Sequence, residues 1–366
     1  MAADAVSTVT LSVNACQDST RTLGGVNRRI LTLLVALVPI FACAALLFWP
    51  GLTVPYVSLG PGPTFNTLDT VDGKQVVDIE GTKTYPPTGH LNMTTVAQQD
   101  DLTLGQAMAQ WLSGTEQLWP RDLVYPPDKS REEVNEENNA DFEASELKAE
   151  AAALGYLKYA AALTVEVVNK DGPSAGKLKV GDAIDKLDGT PITGIDQFQG
   201  LLKKTKPGQQ VTLDFRRKNA PSATTTITLG TNKDRPYGFL GVSVREAPWA
   251  PFQITFNLAN IGGPSAGLMF ALAVVDKLTT GNLADGKFIA GTGTIDDDGK
   301  VGPIGGITHK MLAAHDAGAT VFLVPADNCA EARADDEGLE LVKVDTLEHA
   351  VDALHIISAG GEPPLC

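Results

Sequence analysis

The strongest constraint on this chain is a run of apolar residues near its N-terminus. Residues 30–49 read ILTLLVALVPIFACAALLFW, twenty residues without a charge. A helix of that length spans about 30 Å at 1.5 Å per residue, which matches the hydrocarbon core of a bilayer. The proline within the run, Pro39, is tolerated in membrane helices. The sequence therefore predicts a single N-terminal transmembrane helix over 30–49.

Positive charges are found on one side of this run only. Arg21, Arg28 and Arg29 precede it, and no lysine or arginine follows until Lys74. Because cytoplasmic segments carry the excess of Lys and Arg, we expect residues 1–29 to form a cytoplasmic tail and the rest of the chain to lie outside the cytoplasm. A cleaved signal peptide is the alternative, but the apolar run is longer than a usual signal-peptide core. The prediction is a single-pass protein of the cell membrane.

Charge and cysteine spacing exclude some functions. The chain has 29 Lys+Arg against 44 Asp+Glu, a formal net charge of −15. A nucleic-acid binder needs a basic face for the phosphates, so no nucleic-acid partner is expected. The four cysteines and five histidines contain neither a Cys-x-x-Cys nor a His-Glu-x-x-His motif, so no metal site is expected either.

Residues 50–150 are predicted to be an extracytoplasmic connecting region. They contain Pro/Gly turns and short β-like runs, followed by a helical pattern over 102–118. Residues 131–150 hold eight acidic and two basic side chains. Such a run of charges is typical of a solvated helix face or a mobile linker, and a docking site is the other alternative.

From residue 151 the pattern changes to short strands separated by turns. The sequence predicts strands over 164–168, 183–187, 211–216 and 224–229, and a helix over 196–204. The segments 172–182 (GPSAGKLKVGD), 187–189 (LDG) and 206–208 (KPG) resemble a PDZ domain of bacterial membrane and periplasmic proteases. This resemblance implies a PDZ domain over 151–232.

Domains of this kind take an extended or C-terminal peptide as an added strand, with backbone N–H groups receiving the carboxylate. Leu154, Gly155 and Tyr156 are the candidate peptide-binding loop. The alternative is that Gly155 simply ends a helix.

Residues 233–366 alternate strands and helices, which predicts an α/β domain. The pattern favours strands over 252–258, 288–295, 300–304 and 321–325, and helices over 264–278, 309–317 and 347–356. The second and third of these strands can pair across the turn Asp-Asp-Asp-Gly at 296–299.

The segment 262–267 reads Gly-Gly-Pro-Ser-Ala-Gly and immediately precedes an apolar helix. Proline is favoured in a first helical turn, and glycine lets the backbone approach a substrate closely. Ser265 would then lie beside unpaired N–H groups that could hold an oxyanion. The alternative is that Ser265 is an ordinary N-cap.

The segment 302–310 reads Gly-Pro-Ile-Gly-Gly-Ile-Thr-His-Lys and predicts Lys310 in the first turn of a helix. Positive charge is unfavourable there, and some burial would lower the lysine pKa further. Such a lysine is suited to act as a general base toward a serine. The alternative is a surface lysine.

The two segments together resemble the proteolytic domain of the Lon family, which uses a Ser–Lys dyad, and the spacing of 45 residues from Ser265 to Lys310 fits that family. The resemblance implies that Ser265 is the nucleophile and Lys310 the base, with Gly263, Pro264 and Thr292 in supporting positions. Family members often have an aspartate three residues before the serine, where this chain has a glycine.

Two other residues, Ser174 and His309, are of types common in catalytic sites, but we assign neither of them a catalytic role. Ser174 lies in a second Gly-Pro-Ser-Ala-Gly segment at 172–176, but no Pro-Ile-Gly-Gly follows 45 residues later, so we assign it to the structure of the PDZ domain. A Ser–Lys pair needs no histidine, and His309 is expected to be an exposed helix residue.

No cofactor is predicted. Segment 281–288 has the spacing of a phosphate loop, but Phe288 replaces the Ser or Thr that would hold magnesium, and the segment follows a helix rather than a strand. We therefore expect the enzyme to work without ATP in this chain, although its family is often labelled ATP-dependent.

The order of anchor, PDZ domain and Lon-like domain resembles the YlbL-type proteins of Gram-positive bacteria, as does the Pro-Gly-Pro-Thr segment at 61–64. The resemblance implies an α+β multidomain, membrane-anchored serine endopeptidase that cleaves extracytoplasmic proteins, with the PDZ domain recruiting or gating substrate. It also implies a homo-oligomer such as a hexamer. The alternative is a non-catalytic peptide-binding membrane protein with a degenerate protease fold.

The topology leaves two cysteines outside the membrane, Cys329 and Cys366. An oxidising location permits a disulfide between them. A buried Cys329 with a free Cys366 is the alternative.

Overall fold

The computed structural model describes residues 28–47, 51–259 and 261–366. Apart from residues 28 and 29, the predicted cytoplasmic tail therefore lies outside the described residues. The helices are α1 (Arg28–Leu47), α2 (Leu104–Ser113), α3 (Arg121–Val124), α4 (Arg131–Tyr156), α5 (Ile195–Leu202), α6 (Gly267–Leu278), α7 (Ile307–Asp316), α8 (Cys329–Ala332) and α9 (Leu347–Ser358). A 3-10 turn at Ala326–Asn328 precedes α8.

The strands are mostly short and are distributed along the chain from residue 56 to residue 344. They are β1 (Tyr56–Asn66), β2 (Thr70–Val71), β3 (Lys74–Gln75), β4 (Val77–Glu80), β5 (His90–Gln99), β6 (Gln117–Pro120), β7 (Ala161–Val168), β8 (Ala183–Leu187), β9 (Thr190–Pro191), β10 (Gln210–Arg216), β11 (Ala223–Thr228), β12 (Gly230–Asn232), β13 (Arg235–Phe239), β14 (Val242–Pro248), β15 (Gln253–Phe256), β16 (Phe288–Gly291), β17 (Thr294–Ile295), β18 (Val301–Gly302), β19 (Val321–Pro325) and β20 (Glu340–Val344).

A helix is present where the apolar run lies. It spans Arg28–Leu47 and contains Pro39. Within the described ranges, no helix combines the length and the apolar character that crossing a membrane requires. The transmembrane helix predicted over 30–49 is therefore not supported by the structure, and residues 48 and 49 lie outside the described residues.

The described residues contain two six-stranded sheets, and the first, sheet A, has the strand order β20-β19-β16-β5-β1-β6. Its strands from β20 to β5 pair in parallel, and β1 pairs antiparallel with both β5 and β6. Three of the six strands come from residues 50–150, for which the sequence predicts only a connecting region. This part of the chain is thus built into the same sheet as residues 288–344.

Sheet A is covered by helices on both faces. Every residue of β19 is buried, as is typical of a strand in a parallel sheet that is covered on both sides. Val321 and Leu323 belong to the core formed with α4, α6 and α9, whereas Phe322 and Val324 belong to the core formed with α7 and α8. This alternation follows from the two-residue period of a strand.

The second six-stranded sheet, sheet B, has the strand order β11-β10-β8-β7-β14, with β9 paired to β8. All of its pairings are antiparallel. Its inner face forms a separate core that includes Phe198 of α5 and Leu213 of β10. Strands β7, β8, β10 and β11 and helix α5 lie close to where the sequence predicts them.

The helix predicted over 102–118 is shorter in the structure. Thr103 begins α2 with a capping box to Gln106, and Gly114, with φ 76°, ends it in the left-handed conformation. The residues that follow form β6 instead, which pairs with β1. The glycine explains why the helical pattern does not continue.

The acidic run 131–150 is helical and lies within α4, a helix of 26 residues. Ser130 and Glu133 form a capping box at its start. Phe142, Ser145 and Ala149 lie on its buried face, and its acidic side chains are mostly exposed. Of the two main alternatives, the structure shows the solvated helix face.

Candidate active site

Ser265 lies in a tight segment just before α6. Gly263 has φ 82°, a conformation that glycine adopts at little cost. Gly267 begins α6, and a Cβ atom there would lie 2.8 Å from Cγ2 of Ile295. These two glycines set the path of the backbone around Ser265, as the Gly-Gly-Pro-Ser-Ala-Gly pattern predicts.

Two backbone amides next to the serine are free to donate. The N–H groups of Ser265 and Ala266 have no acceptor in the described part of the chain, whereas the N–H of Leu268 donates to the Gly293 carbonyl at 3.1 Å. Unpaired N–H groups at a helix N-terminus carry partial positive charge. An anionic oxygen formed next to Ser265 could therefore accept hydrogen bonds from this pair.

Lys310 lies in the first turn of α7 and is 3 % exposed. The turn before it is closed by Gly306, with φ 67° in the left-handed region. The Nζ atom of Lys310 donates to Oγ of Ser265 at 2.7 Å and to Oγ1 of Thr292 at 3.0 Å. The structure thus brings together the three side chains for which the sequence predicts catalytic or supporting roles.

Burial controls the charge of Lys310. Loss of hydration in this site lowers the pKa of Lys310 from 10.5 to about 8. No carboxylate of the described residues contributes to that shift, so no ion pair offsets the cost of the buried ammonium. A substantial fraction of Lys310 is therefore neutral just above neutral pH and can accept a proton.

Thr292 links the lysine to the serine backbone. It is fully buried just after β16. Its hydroxyl donates to the carbonyl of Ser265 at 3.1 Å while it accepts from Lys310. One hydroxyl thus uses its donor and an acceptor position to fix both groups.

A cleft of about 800 Å³ opens beside the serine. Pro264, Ser265 and Lys310 lie on its wall, as do apolar residues of β1 and β5. The pairing of β1 with β5 is interrupted between Pro61 and Thr64, and this irregularity lies at the rim of the cleft. Sheet A thus supplies part of the wall against which a substrate would lie, whereas the candidate catalytic side chains lie just before α6 and in the first turn of α7.

The sequence did not identify three residues of this wall: Phe65, Met93 and Val96. They belong to the region 50–150, far from Ser265 in the sequence. The Pro-Gly-Pro turn at 61–63 and the short β-like runs of this region are local signals, but they do not indicate that its strands lie beside Ser265.

Two segments of the chain match models of known domain families. Residues 260–355 match the Lon protease (S16) C-terminal proteolytic domain, and residues 135–228 match the PDZ domain. The chain contains a Lon-type proteolytic domain and a PDZ domain. These matches support a proteolytic function of the serine-protease type.

Curated Lon proteases match part of this chain. Lon protease 1 of Sorangium cellulosum is 44% identical over 95 residues, which are 24% of this chain and 11% of that protein. Lon protease 1 of Bacillus subtilis is 46% identical over 66 residues, 18% of this chain and 8% of that protein. The chain therefore spans only a small part of the length of these relatives.

Solved structures of PDZ domains are among those that match part of the chain. The PDZ domain of the SdrC-like protein from Listeria monocytogenes is 24% identical to this chain. The match covers 23% of this chain and 86% of that structure, with a TM-score of 0.21.

Leu154, Gly155 and Tyr156 are not a loop in this PDZ-containing chain. All three lie in the last turn of α4, and Leu154 is fully buried in the core shared with α6. The prediction of a peptide-binding loop at these three residues is therefore wrong, and the alternative, that Gly155 lies at the end of a helix, agrees with the structure.

The PDZ domain presents a different loop and edge. Strand β14 is the edge strand of sheet B and pairs with β7. Helix α5 lies beside β14: the side chain of Glu246 in β14 accepts a hydrogen bond from the N–H of Ile195 in α5 at 2.6 Å. The preceding segment, 238–241, reads Gly-Phe-Leu-Gly, and the amides of Leu240 and Gly241 have no acceptor among the described residues. The Gly-Phe-Leu-Gly pattern was visible in the sequence, just beyond the predicted PDZ boundary.

Ser174 and His309 make no hydrogen bond to Ser265, Thr292 or Lys310 among the described residues. Ser174 is fully buried in the PDZ domain, and its hydroxyl donates to the carbonyl of Leu240 at 2.6 Å. His309 was predicted to be exposed and is only 5 % exposed, because α7 packs against β1 and β5. That burial lowers the pKa of His309.

Proposed function

We propose that this protein is a serine endopeptidase in which Ser265 is the nucleophile and Lys310 the general base. The observation that carries the proposal is the 2.7 Å hydrogen bond from Lys310 Nζ to Ser265 Oγ, in a site where burial lowers the lysine pKa to about 8. A neutral lysine at this distance can take the serine proton directly.

The proposed reaction has two stages. As Ser265 Oγ attacks the scissile carbonyl, its proton passes to Lys310, and the oxyanion accepts from the N–H groups of Ser265 and Ala266. The lysine ammonium then donates that proton to the leaving amine, which releases one peptide and leaves an acyl-serine. A water molecule next gives a proton to Lys310 and attacks the ester carbonyl. As the bond from that carbon to Ser265 Oγ breaks, Lys310 returns the proton to Oγ, which releases the second peptide and restores both the serine and the neutral lysine.

The cleft favours an extended polypeptide with an apolar side chain next to the scissile bond. Phe65, Met93 and Val96 are among the apolar residues that line the cleft. Burial of an apolar side chain against them contributes roughly 1.5–3 kcal/mol. The substrates of this proposal are therefore unfolded or loosely folded protein segments, cleaved without ATP.

The PDZ domain would recruit such substrates. An extended peptide can add to the free edge of β14, and the amides of Leu240 and Gly241 can receive a terminal carboxylate. Assembly into a hexamer, which the family resemblance implies, is part of the same proposal and is tested by sedimentation of the full-length chain.

The proposed location is outside the cytoplasm, at the membrane. The support is the uncharged run 30–49 with arginines before it, together with the disulfide between Cys329 and Cys366, which is typical of an oxidising compartment. Protease added to intact wall-stripped cells should digest residues 50–366. Full protection until the cells are lysed would contradict this location.

The catalytic proposal is tested with a serine-directed acylating probe on the detergent-solubilised full-length chain. The modified residue, mapped by mass spectrometry, should be Ser265. Ser265→Ala should abolish labelling and peptide cleavage, and Ser174→Ala is the matched control that should keep both. Absence of labelling in a folded wild-type protein that still binds C-terminal peptides would favour the alternative, a non-catalytic peptide-binding protein.

A further inference from the structure

Helix α4 contacts the nucleophile segment directly. The N–H of Gly263 donates to the backbone carbonyl of Asn138 at 2.8 Å. At Gly262 the two backbones approach so closely that a Cβ atom would lie 2.8 Å from Cβ of Asn138. Glycine at 262 is therefore required by the approach of α4, and the segment that carries Ser265 is attached to this helix.

The same helix also packs against α6, the helix that Ser265 precedes. The rings of Phe142 and Phe270 meet edge to face with their centroids 5.7 Å apart. Both side chains are buried in the core of the proteolytic domain. The position of α4 thus determines both the segment before Ser265 and the helix after it.

The C-terminal half of α4 is attached to the PDZ domain. Glu150 forms an ion pair with Lys218, and both side chains are nearly buried. Arg245 of β14 donates to the carbonyl of Leu147 at 3.4 Å and pairs with Asp297 of the turn between β17 and β18. The strand whose free edge can receive a peptide is therefore bound to the helix that holds the nucleophile segment.

We propose that α4 is the positioning element of the Ser265 segment and that the PDZ domain acts on Ser265 through this helix. The proposal rests on the proposed role of Ser265 as nucleophile. A peptide that binds along β14 changes the contacts that Arg245 makes with α4. The resulting shift of α4 alters the contact between Asn138 and Gly263 near the other end of this helix. Capture of a substrate and the reactivity of the serine are thereby linked.

The first test is the Gly262→Ala variant of the full-length chain. The added Cβ must push the Ser265 segment away from α4, and a displacement of about 1 Å can lower a catalytic rate about 100-fold. We expect kcat for peptide cleavage to fall by that order, with KM little changed. Gly200→Ala is the matched control, because nothing lies within 4 Å of a Cβ at Gly200.

A rescue variant distinguishes displacement of the Ser265 segment from general destabilisation of the fold. The double variant Gly262→Ala/Asn138→Gly removes the Cβ that the new methyl group would strike, so it should recover most of the lost rate. A Gly262→Ala protein with wild-type kcat would overturn the proposal, as would a folded double variant that stays as slow as the single one.

Amide hydrogen exchange gives a readout that does not depend on activity. The amide of Gly263 should be protected in the wild type by its bond to Asn138 and should exchange faster in Gly262→Ala. If the wild type fails to react with an acylating probe, the proposed function fails, and the exchange result still decides whether α4 holds the segment. Equal, rapid exchange in both proteins would refute that attachment.

The PDZ contact is tested with Arg245→Ala. Coupling between sites is typically 5-fold to 150-fold, so we expect the rate of acylation of Ser265 to fall by at least 5-fold. Lys186→Ala is the control, since its ion pair with Asp214 lies wholly within sheet B. Equal acylation rates in Arg245→Ala and wild type would overturn the PDZ part of the proposal.

Discussion

Lys310 donates to the hydroxyl of Ser265 at 2.7 Å although the two residues are 45 positions apart in the sequence. Each lies at the N-terminus of its own helix, where a preceding glycine in the left-handed conformation shapes the turn. The chemistry of this pair depends on the protonation of the lysine, because only a neutral amine can accept the serine proton.

The activity should therefore rise with pH. Below the lowered pKa of about 8, Lys310 is mostly an ammonium and the proposed base is unavailable; above it the amine is neutral. The pH profile of kcat/KM for a neutral peptide substrate should increase through an apparent pKa near 8. A profile that is flat from pH 6 to pH 10 would remove Lys310 from this role.

Lys310→Arg should be inactive although it keeps the positive charge. A guanidinium does not lose its proton in this pH range, and its planar group does not fit the position of an amine between two hydroxyls. Circular dichroism should show that the variant is folded. Cleavage of peptides at near the wild-type rate would remove lysine from the mechanism.

Thr292→Val should lower kcat by about 10-fold to 100-fold. Valine has nearly the same shape but cannot accept from Lys310 or donate to the carbonyl of Ser265, so two hydrogen bonds that fix the pair are lost. Thr292→Ser keeps the hydroxyl and serves as the control. If valine and serine variants have equal kcat, the hydroxyl does not orient the pair.

The residues that could be identified from the sequence lie in short segments that carry their own geometry. The Gly-Gly-Pro-Ser-Ala-Gly segment determines a turn and a helix start by itself, and so does the segment that ends at Lys310. Strand β8, Ala183–Leu187, lies where alternation and the turns on either side predict it. Local steric preferences are sufficient for such segments.

The parts that the sequence did not reveal depend on pairing between distant segments. Met93 lines the cleft because its strand, β5, pairs with β16, and in this pairing Met93 lies opposite Gly291. Strand β14 lies at the edge of sheet B because Val242 pairs with Val168. The period of a strand tells which face a residue occupies but not which strand lies next to it. Local sequence patterns therefore could not predict which residues line the cleft or that β14 is the edge strand of sheet B.

Loss of the disulfide between Cys329 and Cys366 should destabilise the proteolytic domain. It closes a loop with a sequence separation of 37 residues, and removal of such a cross-link typically costs about 2–4 kcal/mol. The double variant Cys329→Ser/Cys366→Ser should unfold at a lower denaturant concentration than the wild type. Mass spectrometry of the unreduced protein is the direct check, and two alkylatable thiols in the native protein would contradict the bond.

Lys310→Met should make the protein inactive but more stable. The buried ammonium has no carboxylate partner, and its folded-state pKa of about 8 lies below the value of 10.5 for a free lysine. The lysine of the unfolded chain therefore binds its proton more tightly than the lysine of the folded protein. The resulting loss in free energy of unfolding is fully present below pH 8 and disappears as pH rises toward 10.5. Methionine has a similar length and no charge, so the free energy of unfolding at pH 7 should increase by roughly 1–3 kcal/mol. The gain over the wild type should be smaller at pH 9 than at pH 7, as measured by denaturant unfolding at both values. A variant that is less stable than the wild type at pH 7 would mean that Lys310 stabilises the fold rather than straining it.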